Sequence, residues 1–159
     1  MKNKEKITLK KFDELNKEEL YRILQMRAEI FIKEQQAPYL DPDNKDQIAW
    51  HLFIRNRKGK IVGYSRIFGP GGYFSGSTCI GRVSVDKSYR NQGLGYVLMQ
   101  KSIDFLRQNY PEYPVEISAQ TYLIKFYQSL GFVQISNQYL EDGLPHVRMK
   151  LYFNDENRN

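Results

Sequence analysis

The chain has 159 residues, with 24 Lys and Arg against 18 Asp and Glu, and one cysteine, Cys79. That length suits one domain with a real core, and a lone cysteine excludes an intramolecular disulfide, which fits a reducing, cytoplasmic setting. No apolar run approaches the roughly 18 residues of a membrane helix, and none follows the basic N-terminus to make a secretory signal, so neither membrane nor export is expected. The net charge of +6 is read as a solvated basic surface, with attraction of a polyanion, either a nucleotide-like cofactor or nucleic acid, as the sharper alternative.

Along the chain, the polar ends 1–5 and 154–159 are expected to be flexible tails around a domain spanning 6–153. A short strand around 7–10 comes first. Asn16-Lys-Glu-Glu19 has the form of a capping box. Leu20, Ile23, Leu24, Ala28 and Phe31 then fall on one helical face, predicting a helix over 16–34. The stretch from Gln35 to Gln47, with Pro38, Pro42, Asp41, Asp43 and Asp46, is a loop. Strands are predicted at 49–56 and 60–68, joined by an Asn56-Arg-Lys-Gly59 hairpin turn. The glycines between Gly69 and Gly76 link them to a strand at 78–85. A glycine-rich loop can hold phosphate, but no helix follows this one. A helix carrying Leu94, Val97, Leu98, Phe105 and Leu106 ends before Pro111. A strand at 114–119 and a helix at 121–130 follow, the helix stopped by Gly131 as its C′ residue. Strands at 132–138 and 146–153 flank the Glu141-Asp-Gly143 turn. The order β-α-β-β-β-α-β-α-β-β predicts an α/β domain with a mixed sheet and helices on both faces.

The most informative segment is Arg90-Asn91-Gln92-Gly93-Leu94-Gly95, where a strand passes through a glycine-bearing turn into a helix. Glycines let the backbone approach a ligand, and the first helical amides have no internal partner. The segment is therefore a cradle for an anion. It is not a Walker A loop, which needs G-x-x-x-x-G-K-[ST]. Gly93 and Gly95 fit a dinucleotide fingerprint, but Leu98 stands at the third glycine position, and the motif follows several strands instead of the first. What fits is Arg/Gln-x-x-Gly-x-Gly/Ala after a strand. A second segment supports it: Phe126-Tyr127-Gln128-Ser129-Leu130-Gly131-Phe132, placed as helix then strand.

These two segments, and the order of elements from Ile7 to Phe153, resemble the GNAT superfamily of N-acetyltransferases. A finer resemblance is to its ElaA-like branch. It is carried by Arg27-Ala-Glu-Ile-Phe-Ile-Lys-Glu-Gln35 with Pro38-Tyr39, Ile80-Gly-Arg82-Val, Ala119-Gln120 and Glu141-Asp-Gly-Leu-Pro-His146. The resemblance implies a single-domain fold with a mixed, mostly antiparallel sheet, and acetyl-CoA as the donor. Its pyrophosphate would lie on the amides from Asn91 to Tyr96 (Asn91, Gln92, Gly93, Leu94, Gly95, Tyr96), with Arg90 as a nearby cation. The pantetheine arm would pair with the end of the preceding strand, Val83-Ser84-Val85, near Gln120. An amide of Val83 or Val85 would face the thioester oxygen. For the side chains of both valines, core packing is the ordinary reading.

Acetyl transfer to an amine needs a held donor, a polarised carbonyl, a neutral amine and a stabilised leaving thiolate. Tyr127 matches the family tyrosine that hydrogen-bonds or protonates the thiolate. Some family members carry a glutamate at the position of Val115. Here Glu116 stands one residue along and points to the other face of its strand. That leaves Glu34, at the end of the first helix, and His146, entering the last strand, as candidate catalytic groups on the acceptor side. The plain alternatives are a solvated helix end and a histidine fixing its own turn. Arg66 and Arg82, among apolar neighbours, need carboxylate partners such as Glu34 or Asp41. His51, His146 and Cys79 have no metal-ligand spacing, so no metal is expected. His51, beside Trp50, is read as packed.

The leading expectation is an acetyl-CoA-dependent N-acetyltransferase (EC 2.3.1.-) acting by direct attack in a ternary complex. The acceptor would be a primary amine of a small molecule or peptide, and the protein a monomer or homodimer. Glu29, Glu34, Asp41, Asp43 and Asp46 would suit a cationic acceptor. A non-catalytic acyl-CoA-binding module is the alternative. A nucleic-acid binder is suggested by charge alone, with no recognition motif, so no nucleic-acid partner is expected.

Overall fold

The structure is a computed structural model that describes residues 5–154. The expected flexible tails lie almost wholly outside the described residues. Strand β1 (Lys6–Lys11) leads into helix α1 (Lys17–Arg27), then β2 (Trp50–Arg55), β3 (Ile61–Phe68) and β4 (Thr78–Val85). Helix α2 (Leu94–Asn109), β5 (Val115–Gln120), α3 (Ile124–Ser129), β6 (Val133–Gln134), β7 (Tyr139–Glu141) and β8 (Leu144–Leu151) complete the chain. The strands form one sheet in the order β1-β2-β3-β4-β5-β8-β6, with β7 also on β8. Pairing is antiparallel throughout except between β4 and β5.

Alternation along β2 and β3 sends side chains to two helical layers. Leu52, Ile54 and Ile67 join Leu98, Met99, Ile103 and Leu106 of α2 and Tyr127 of α3 in the main core. Phe53 and Tyr64, on the opposite face, pack against Ile23 and Met26 of α1. Ser65 and Ser102 hydrogen-bond at 2.8 Å within the α2 layer, so both buried hydroxyls have partners.

The capping box at α1 forms as the sequence predicts. Glu19 N donates to Asn16 Oδ1 at 2.8 Å, and Asn16 N donates to Glu19 Oε1 at 3.0 Å. Glu19 also takes Lys10 and Arg55, and its carboxylate is 3% exposed. Burial alone would raise its pKa, but the Asn16 amide and the two cations outweigh that and hold it at about 2.

Two predicted elements differ in detail. The helix expected over 16–34 keeps α geometry only to Arg27 and continues as a π-helical segment from Ala28 to Glu34. This wider turn changes which side chains share a face, and 3.6-residue periodicity does not foresee it. The strand expected over 132–138 is instead two short pieces, β6 and β7, both on the outer edge of β8. Between them Ser136 Oγ accepts from Arg148 N at 2.8 Å, so a side chain takes the place of a ladder bond.

Candidate active site

Strands β4 and β5 are paired only at Thr78↔Val115 and Cys79↔Glu116. Beyond that point they separate, and a cleft of about 540 Å³ opens between them. Backbone polar groups on the facing edges are thereby left for a ligand. The splay coincides with a register shift between β3 and β4 and with Arg82 in the left-handed region, at φ +50°.

One end of the cleft is the glycine turn. Asn91 and Gly93 have φ of +62° and +82°, which turns the chain sharply into α2. The first backbone bond of that helix runs from Val97 N to Gly93 O at 3.1 Å, and no side chain caps it. The amides of Leu94, Gly95 and Tyr96 thus have no intrahelical partner. A Cβ built on Gly95 would meet only Phe126, at 3.9 Å, so no packing within the protein demands glycine there. Tyr89 braces the turn by accepting a hydrogen bond from Asn56 at 2.8 Å. Arg90 donates to the Val85 carbonyl at 3.2 Å and makes a two-pronged ion pair with Glu34.

Tyr127 enters the cleft from α3 and is 8% exposed. Its ring packs edge-on against Phe126 and Phe132. Burial, with a lesser contribution from Tyr122, pushes its hydroxyl up to about 12, so at neutral pH it is a donor.

His146 sits opposite Gln120 across the β5–β8 pair and opposite Tyr139 across the β7–β8 pair. It is nearly buried and stacks on Tyr139. Its Nδ1 lies 2.8 Å from the Leu144 carbonyl, and its Nε2 lies 3.3 Å from Glu141 Oε2. Ser118 bridges Tyr139 and Glu141 through its hydroxyl.

The fold therefore brings Val83, Val85, Arg90, Asn91, Gly93, Leu94, Gly95, Gln120, Tyr127, His146 and Glu34 to one cleft. Ser84, Gln92 and Tyr96 do not line it. Ser84 is buried with its hydroxyl donating to the Arg82 carbonyl, while Gln92 and Tyr96 point to solvent and can offer only backbone. Glu34 lines the cleft, but its carboxylate is engaged. The hydrogen bond from Arg90 holds it below the usual carboxylate range, which makes it a poor proton acceptor. Glu116 is buried and ion-paired with Arg148, outside the cleft.

Sequence reasoning left Tyr39, Ser118 and Glu141 without roles, and all three line the cleft. Glu141 was visible as part of a turn signal and of the Glu141-to-His146 segment that resembles the ElaA-like branch, with no role of its own. Its closeness to His146 follows from the β7–β8 hairpin, where the two residues lie on adjacent strands.

A buried ion network holds the loop that carries Tyr39. Asp46 bridges Arg27 and Arg66 at 2.7 and 2.9 Å. Asp43 takes Arg66 at 2.8 Å, and Asp41 takes both Arg27 and Arg82 at 2.9 and 2.8 Å. Arg66 is thus paired with Asp43 and Asp46 in place of the suggested Glu34 or Asp41, while Arg82 does take Asp41. His51 lies beneath this network. Its Nε2 donates to the Asp46 carbonyl, so its Nδ1 accepts from the Tyr64 hydroxyl. Burial lowers its pKa and keeps the ring neutral.

The turn before α2 and the buried Tyr127 line one cleft, opened by the splay of two parallel strands. Residues 12–153 match the model of the acetyltransferase (GNAT) domain, and the chain belongs to that family. Within it the chain is ElaA-like: it is 36% identical to protein ElaA of Escherichia coli K12 over 137 residues, which is 86% of this chain and 89% of that one. A UPF0039 protein of Schizosaccharomyces pombe is 37% identical over 143 residues, 89% of this chain and 93% of that one. The crystal structure of E. coli ElaA superposes with a TM-score of 0.86 at 33% identity, covering 93% of this chain and 99% of that one. An acyl-CoA N-acyltransferase from Pseudomonas aeruginosa superposes with a TM-score of 0.87 at 35% identity, with the same coverage.

Proposed function

We propose that this protein is an N-acetyltransferase that transfers an acetyl group from acetyl-CoA to a primary amine, both bound together in the β4–β5 cleft. The observation that carries this reading is that the unpartnered amides at the start of α2 and the Tyr127 hydroxyl open on the same cleft.

The residues present fit acetyl-CoA. Three orphan amides, the helix dipole and Arg90 suit a pyrophosphate. The open space beside Gly95, where no protein atom but Phe126 comes near, suits approach of that group. The β4 edge at Val83–Val85, free of β5, suits the amide groups of the pantetheine arm. Bound there, acetyl-CoA supplies an activated acyl group, and the protein contributes position and electrostatics. A Val83 or Val85 amide polarises the thioester carbonyl, and Gln120 lines the opposite wall. Tyr127 stabilises the leaving sulfur. Moving its proton fully to a thiolate of ordinary basicity is uphill by about 5 kcal/mol, given a hydroxyl at about 12. Its role is therefore to donate a hydrogen bond to developing charge. On the acceptor side His146 is the candidate base. Glu34, held by Arg90, belongs to the donor side.

The test is acetyl-CoA turnover against a panel of aliphatic amines, arylhydrazines and N-terminal peptides, followed by free-thiol release. Amine-dependent release, with the acetylated product confirmed by mass, is the expected result. Tight CoA binding with no acetylation of any panel member favours an acyl-CoA-binding module instead.

A further inference from the structure

We infer that Glu141, acting as one unit with His146, takes the proton from the acceptor's ammonium group. This deepens the acetyltransferase reading and rests on it. Few carboxylates are available to take that proton. Those lining the cleft among the described residues are Glu34, Glu141 and Asp142. Glu34 is bound by Arg90. Asp142 is exposed at the tip of the β7–β8 turn, in the left-handed region at φ +50°. Glu141 alone combines a place in the cleft with a partner that can share a proton.

The hydrogen bonds fix the tautomer. A carbonyl oxygen only accepts, so the 2.8 Å contact with Leu144 puts a proton on His146 Nδ1. In the neutral ring Nε2 then carries a lone pair, and it faces Glu141 Oε2 at 3.3 Å. Two acceptors facing each other make a vacancy for one proton. With Nε2 unprotonated the pair carries one negative charge, which draws in an ammonium; with the proton in place the pair is neutral. Ser118 and Tyr139 hold the carboxylate and the ring in this arrangement.

The transfer balances. One proton leaves the ammonium nitrogen for the Nε2–Oε2 position, and the freed lone pair forms the C–N bond to the acetyl carbon. The C–S bond breaks with its electrons on sulfur, which the Tyr127 hydroxyl stabilises. The second N–H proton lost as the amide forms restores the thiol through water. The pair later returns its own proton to water.

The experiment compares Glu141→Gln with the parent on two acceptors of nearly equal shape. Benzylamine is a cation at neutral pH, and phenylhydrazine is largely neutral there. The expected result is a loss in kcat of about 100-fold on benzylamine and less than about 5-fold on phenylhydrazine, with CoA affinity unchanged. His146→Gln gives the same split, and the double variant is no worse than either single one. Equal losses on both acceptors, or none, overturn the inference while leaving the acetyltransferase reading intact. If the parent acetylates no member of the amine panel, both fall together. An acceptor-independent measurement is the ¹⁵N spectrum of the His146 ring. A protonated Nδ1, with a Nε2 resonance that moves in Glu141→Gln, supports the pair. A neutral ring with its proton on Nε2, or a Nε2 resonance unmoved by the substitution, overturns it.

Discussion

Arg90 and Glu34 grip each other across the mouth of the cleft, Nη1 to Oε1 at 2.5 Å and Nη2 to Oε2 at 2.9 Å. This contact ties the π-helical segment after α1 to the glycine turn before α2. The hydrogen bond with Glu34 also raises the Arg90 pKa. A cation so occupied is only partly available to a pyrophosphate. Glu34→Gln removes the competing charge and is expected to tighten CoA binding by about 3-fold, because a half-exposed pair is a weak competitor. Isothermal titration with CoA measures this. If Glu34 were instead the base for the amine, the same variant would leave CoA affinity alone and cut kcat.

Gly95 separates ligand binding from folding. It lies in the first turn of α2, and a Cβ there has room within the protein. Gly95→Ala is therefore expected to stabilise the fold by up to about 1 kcal/mol, through helix propensity and lower chain entropy. Alanine is the other residue that the Arg/Gln-x-x-Gly-x-Gly/Ala pattern takes at this position, so CoA affinity is expected to stay within about 3-fold of the parent. Thermal unfolding and CoA titration on the same sample check the two halves. A variant that folds but binds CoA at least about 10-fold more weakly would mean that the pyrophosphate needs bare backbone at Gly95.

Tyr127→Phe keeps the ring and its edge contacts with Phe126 and Phe132. Only the hydroxyl is lost. If that hydroxyl steadies the leaving sulfur, kcat for acetyl transfer falls by about 10- to 100-fold while CoA affinity stays within about 2-fold. Steady-state kinetics with the best panel amine, alongside CoA titration, decide it. An unchanged kcat leaves Tyr127 as a packing residue.

The parts of the site visible in the sequence are those set by local chemistry. The Asn16–Glu19 box, the Arg90–Gly95 turn and the Gly131 stop, at φ +99°, each depend on residues within a few positions of one another. The parts not visible depend on backbone choices or distant pairing. Nothing in the apolar spacing of 16–34 marks the change to π geometry at Ala28, yet Ile30, Phe31 and Glu34 line the cleft from that segment. The three aspartates of the 35–47 loop suggested a cationic acceptor. They are instead consumed by Arg27, Arg66 and Arg82, the last pair being 41 residues apart in sequence. Glu141 shares with His146 a segment of the family resemblance, but a turn signal accounts for its identity without their side-chain contact, so its role was not legible.

That aspartate–arginine network makes the fold sensitive to acid, and the sign follows from its carboxylates. Burial would raise Asp43, but Arg66 overrides it and holds the group at about 2. Burial opposes Asp46 in the same way, and Arg27 and Arg66 lower it. A carboxylate depressed in the folded state lends stability above its unfolded pKa, near 4, and loses it as pH falls through the folded value. The network's own contribution is therefore expected to be flat from neutral pH to about 5 and to drop between about pH 4 and pH 2, while His51, kept neutral by burial, takes stability away as pH falls below about 6.5. Asp43→Asn removes part of that dependence and shallows the drop. Asp46→Asn acts differently, because it strips the shared partner from two arginines that are almost fully buried, Arg27 and Arg66. It is expected to cost about 3 kcal/mol at neutral pH. Urea unfolding of the parent and both variants across this pH range measures the slopes. A parent profile with no acid limb would mean that the network contributes no pH-dependent stability.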